Sequence, residues 1–149
     1  MDRLKDWETR FDRFLNEYSK KEFGWGTADC CIFACDAVEA LSGINPYPYF
    51  PADYNSEEEA VKAVKGFAYL DEFGDALIAT VELMSEYFGL EEIEPGYLKK
   101  GDIVLAHAQP LNQPVCGVYV GTGKIAFMSK NGLIYVKKER FKIYKGFRV

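Results

Sequence analysis

The sequence has a single histidine, His107, in 149 residues. Chemistry that needs two imidazoles is therefore excluded. No run approaches the ~18 apolar residues of a membrane span, so none is expected. The leading stretch MDRLKDWETRFDRFL is charged throughout and lacks the apolar core of a secretory signal. A reducing compartment is expected, with Cys30, Cys31, Cys35 and Cys116 as thiols. There is no Cys-x-x-Cys pair. A zinc site needs about four ligands, and Cys31, Cys35, Cys116 and His107, with Asp29 as a further ligand type, do not have the spacing of one. Neither a metal nor a cofactor is expected. The VGTGK stretch at 120–124 lacks the length and the Ser/Thr of a phosphate loop, and fits a tight hairpin turn. An excess of positive charge is also missing. Net charge is −5, and the basic residues of the tail alternate with apolar ones, which argues against a nucleic-acid partner.

Apolar residues are plentiful at 48%, with 15% aromatics, which suits a single folded domain over 1–149. Leu4, Trp7, Phe11, Phe14, Leu15 and Tyr18 recur at helical spacing and predict a first helix. Gly24 and Gly26 break the chain. A second helix is expected to start near Thr27 or Asp29, to bury Cys31, Ala34, Cys35, Val38 and Leu41 with Ile32 close by, and to stop at Gly43. The loop INPYPYFPADYN carries three prolines and resists regular helix. Ser56 and Glu59 form a capping box for a short helix, with Gly66 expected to end or bend it. A further helix is expected from Gly74 to Tyr87, stopped by Gly89.

After Pro95 the pattern changes to short β-branched and aromatic runs: GDIVLAHA, VCGVYVG, KIAFMS, GLIYVK and RFKIYKGF. They read as four or five antiparallel strands. Helices first and strands second give an α+β fold, with N-terminal helices packed on a small antiparallel C-terminal sheet.

Cys30 falls at the start of the second helix, where free N–H groups favour a thiolate, so it is a candidate catalytic nucleophile. His107, at the end of the first predicted strand, is the candidate catalytic base. Asp29 reads as a helix cap. Cys31 and Cys35 share a helix face and read as small apolar groups. Cys116 is expected to pack on the sheet face opposite to Val115.

The stretches DCCIFACDAVEALSG from Asp29, EPGYLKKGDIVL at 94–105 and VCGVYVGTGKIAF at 115–127 together resemble NlpC/P60-type cysteine peptidases. The resemblance implies a papain-like fold, Cys30 in the nucleophile's position and peptidoglycan peptides as substrate. The position of the family's catalytic histidine falls on Val115, which cannot accept a proton. Phe23 to Gly43, Tyr54 to Ser56, Gly101–Asp102 and Phe147–Arg148–Val149 resemble a phage and prophage family associated with tail genes. That resemblance implies a tail or tail-tip protein on a degenerate peptidase fold. Its partners would be other phage tail proteins, and its location the bacterial host cytoplasm during assembly and then the virion tail. An active cell-wall peptidase using Cys30 with His107 as a relocated base is the alternative.

Overall fold

The first apolar stripe forms helix α1 (Trp7–Tyr18), and its Phe11, Phe14 and Tyr18 are buried while Leu4 lies before the helix. The computed structural model describes residues 1–50, 52–108 and 113–149. Helix α2 (Cys30–Ser42) follows, with Asp29 as its N-cap and Gly43 as its C-cap at φ 83°. That left-handed conformation is one glycine adopts without the cost a Cβ would bring. α2 is apolar nearly all round, because α1 and the sheet cover it from two sides. Phe33 and Ala37 are therefore buried together with the expected Ala34, Val38 and Leu41, whereas Cys31 and Cys35 are only half-buried. Phe33 stacks on Phe14 at 5.1 Å and meets Tyr18 edge-on at 4.9 Å. Full burial of such a side chain stabilises by roughly 1.5–3 kcal/mol.

The proline-rich loop makes only a short 3₁₀ turn at Tyr47–Tyr49. Ser56 caps α3 (Glu57–Ala68), its hydroxyl accepting from the Glu59 N–H at 3.2 Å. The Glu59 carboxylate reaches back to the Asn55 N–H. Gly66 does not end α3. The helix runs past it to Ala68 and stops at Tyr69, φ 54°. A Cβ at Gly66 would meet nothing, so the residue lies on a face that tertiary packing does not use. α4 (Phe73–Tyr87) matches its expected span closely and buries Ala76 and Leu77 against α3.

Among the described residues the sheet has six strands, all antiparallel, in the order β1-β6-β2-β3-β4-β5. They are β1 (Glu91–Ile93), β2 (Ile103–Ala108), β3 (Gln113–Gly121), β4 (Lys124–Ser129), β5 (Gly132–Lys137) and β6 (Phe141–Arg148). The sequence misses β1. It is three residues long and carries two glutamates, and it exists because β6 supplies its hydrogen-bonding partner. The β3–β4 hairpin turns through Gly121, Thr122 and Gly123, all at positive φ, as VGTGK suggested. Residues 109–112, read as the turn between the first two long strands, lie outside the described residues. So does Pro51 of the aromatic loop.

Strand alternation divides the sheet's faces. Ile103, Leu105, Cys116, Val118, Ala126, Met128 and Phe147 join the α1 and α2 side chains in the main core. Val104, Ala106, Ile125 and Phe127 form a smaller cluster on the other face, joined by Val115 and covered by Leu98 and Phe141.

One buried charge fixes the frame. The Asp102 carboxylate is fully buried. Arg148 donates to it twice, Nε to Oδ1 at 2.9 Å and a terminal nitrogen to Oδ2 at 2.7 Å, and the Lys99 N–H adds a third bond at 2.7 Å. Arg3 lies 3.5 Å away, stacked on Trp7, and donates to the Lys100 and Val149 carbonyls. Removing one partner of a buried pair leaves the other charge uncompensated. We expect Arg148→Ala to lower unfolding free energy by about 3 kcal/mol in urea denaturation. Lys100→Ala, which breaks the exposed pair with Asp12, should change it by no more than about 0.5 kcal/mol.

Candidate functional site

The site grows from the N-terminus of α2. Asp29 is almost fully buried, and both its oxygens are used. Oδ1 accepts from the Ile32 N–H at 3.0 Å, and Oδ2 accepts from the Gly26 N–H at 3.0 Å and the Tyr54 hydroxyl at 2.8 Å. Gly26 has φ 77°, and a Cβ there would collide with the Tyr54 carbonyl oxygen. The turn before α2 and the loop after it are thus tied through one carboxylate. The expected cap role of Asp29 holds. The Tyr54 hydroxyl that completes it is not evident from the residues alone, although Tyr54 lies in one of the stretches behind the phage resemblance.

Cys30 occupies the first position of α2 and is half-buried. Its neighbour Cys31 lines a cavity together with the buried Cys116 of β3. The adjacent Cys31 side chain pushes the Cys30 thiol well above its ordinary value, and burial and the Asp29 carboxylate push the same way. The Cys116 backbone N–H works against them, but the net direction is upward. The thiolate expected at a helix N-terminus is therefore disfavoured.

His107 pairs with Pro114 on β3 and with Lys142 on β6. Alternation with Ile103 and Leu105 puts it on the α2 face of the sheet, the same side as Cys30. Its Nδ1 lies 2.8 Å from the Tyr144 hydroxyl, a hydrogen bond whose donor depends on the imidazole tautomer. Tyr144, which could orient the ring, has no motif that would have announced it. It falls where the β2–β6 register shifts, between the partners of Leu105 and Ala106.

Val115 lies on the opposite face, packed with the smaller cluster. Cys116, its neighbour, turns to α2 and is buried, as alternation requires. Val115 therefore does not fill the space beside Cys30. The residue that β3 presents there is Cys116. Among the described residues, no group of three or more His, Cys, Asp or Glu side chains could hold a metal ion.

Behind the helix start lies a cavity of about 100 Å³, lined by Cys31, Cys35, Tyr47, Met84, Phe88 and Cys116 among others. Its lining is mostly apolar, which suits small apolar groups better than water. Cys35 borders it, and burial pushes its thiol up to about 12, with the charges of Asp36 and Asp29 adding to the effect.

The family described as a domain of unknown function, DUF6950, matches residues 2–149. This chain belongs to that family. Among curated proteins, none matches it. Membership in the DUF6950 family covers helices and sheet alike, so the buried Asp29 and Asp102 both belong to the matched region.

Two outcomes follow from this geometry. Tyr54→Phe should cost about 1 kcal/mol in denaturant unfolding, because Asp29 loses one of its hydrogen bonds. The folded state also holds the Cys35 proton more tightly than the unfolded chain does. Its contribution is fully present below the free-thiol value of about 8.5 and is lost as pH rises from there towards 12. The fall in stability between neutral and strongly alkaline pH should be smaller in Cys35→Ala, by about 1–2 kcal/mol, measured as urea midpoints across pH.

Proposed function

We propose that this protein is an assembly or structural component of a phage tail or tail tip, built on an NlpC/P60-like fold that no longer hydrolyses peptides. The observation that carries this reading is how the resembling stretches are used. Asp29 caps α2 and receives Tyr54, Gly26 makes room for the Tyr54 carbonyl, Asp102 holds Arg148, and Phe147 sits in the core. In each stretch the side chains hold the frame. The thiol in the nucleophile's position is kept protonated, and the position matched to the base is a valine on the other face. An amide-attacking thiol without a base loses most of its rate. The partners would be other tail proteins, met in the host cytoplasm during assembly and retained in the virion. Fold alone does not assign a role, and the tail reading draws on the resemblance for its biology.

One observation favours a second reading, an active peptidoglycan peptidase. His107 shares the α2 face with Cys30 and has a hydrogen-bond partner in Tyr144.

Alkylation of Cys30 across pH, read by peptide mapping in wild type and His107→Ala, separates the two. The tail reading expects labelling to rise only at alkaline pH, unchanged by His107→Ala, with no release of peptides from cell walls. It also expects co-purification with neighbouring tail proteins. A titration below the free-thiol value that shifts in His107→Ala, together with peptide release, would establish the peptidase and sink the structural role.

A further inference from the structure

The strand order leaves β1 and β5 as the two edges of the sheet. An edge strand is a template for pairing with another chain. The two edges carry opposite charge. β1 presents exposed Glu91 and Glu92 and is followed by Glu94. β5 ends at Lys137, with Lys138 next in the chain. It also bears large apolar side chains in the open, Ile134 at 40% and Tyr135 at 48% exposure.

Direction matches as well as charge. Every neighbouring pair in the sheet is antiparallel, and the strands number six. β1 and β5 therefore run in opposite directions. A second copy displaced along the sheet sets its β1 antiparallel to the first copy's β5, and the alternation continues unbroken. Antiparallel self-pairing of β1 would instead set Glu92 against Glu92, which is repulsive.

The faces match too. Glu92 pairs with Phe147 and so lies on the helix side, while Glu91 and Ile93 lie on the other. On β5, Tyr135 and Leu133 pair with Ala126 and Met128 on the helix side, which puts Lys137 there and Ile134 and Val136 on the other. One antiparallel register satisfies all of this at once. Glu92 stands opposite Lys137, Glu91 opposite Lys138 and Ile93 opposite Val136.

We propose that this protein associates head-to-tail with further copies of itself, β1 of one against β5 of the next. Such a contact is heterologous. It closes into a ring if the rotation per subunit permits and otherwise grows as an open filament. The twist between adjacent strands supplies a rotation at each junction. The short β1 makes the single contact weak, so assembly depends on high local concentration. The biological meaning rests on the tail reading; the association itself rests only on the two edges.

The test is zero-length carbodiimide coupling of concentrated protein at low ionic strength, with peptide mapping of the products and sedimentation velocity in parallel. Within one molecule the edges stand roughly 24 Å apart, five strand spacings, so a bond between them must join two copies. Lys145 and Glu82, 2.7 Å apart, serve as the internal control. Wild type should yield oligomers linked between Glu91 or Glu92 and Lys137 or Lys138. E91K/E92K and K137E/K138E, each checked for folding by circular dichroism, should each associate at least ~10-fold more weakly. An equal mixture of the two should recover association, since each then offers the other's complement. A monomeric wild type without the edge-to-edge link overturns the proposal. So does association that neither reversal weakens, or that mixing fails to restore. Self-association without capture of any tail protein would sink the tail reading and leave the edge pairing standing.

Discussion

A single carboxylate with no access to water governs the layout of this fold. Asp102 sits where the chain enters β2, and three parts of the molecule converge on it: Arg148 at the end of β6, Arg3 ahead of α1, and the backbone of the turn at Lys99. A buried charge is tolerated only when its partners are in place. The ends of the chain are therefore held together, and the ends of β2 and β6 are registered against each other. Arg148 makes two close bonds to Asp102 whereas Arg3 stands 3.5 Å away, so Arg148 is the partner on which the pair depends.

Asp29 plays the corresponding role at the other end of the core. It fixes where α2 begins and draws the aromatic loop against that point through Tyr54. Once α2 is fixed, Cys30 and Cys31 are brought to the buried Cys116 of β3. The resulting thiol row behaves as part of a packed interior, since each contact that could sensitise Cys30 is outweighed by one that keeps its proton. His107 lies on the same face of the sheet, steadied by Tyr144. Cys30 and His107 thus lie on one side of the sheet, in surroundings that favour the protonated Cys30 thiol.

A sheet of six alternating strands has edges that run in opposite directions, and here they also differ in charge. Neither property belongs to a residue in isolation. The acidic edge arises because three residues between α4 and β2 find a partner in the last strand. The basic edge arises because β5, though rich in apolar side chains, has a neighbour on one side only.

Helical spacing, capping residues and glycines by themselves determined α1, α2 and α4 and the long strands, because these signals are local. They also marked Asp29 as a cap and put Cys116 opposite to Val115, because strand alternation is a rule of two. Gly66 misled, since a glycine on an unpacked helix face costs too little to stop a helix already held elsewhere. β1 was invisible because its order comes from β6 and not from its own residues. The side of the sheet taken by His107 depended on register, which one residue can reverse and which only pairing with β3 and β6 decided. The protonation of Cys30 was decided in the same way: the helix start argues for a thiolate, and what opposes it is burial with the adjacent Cys31 thiol and Asp29 carboxylate packed around it.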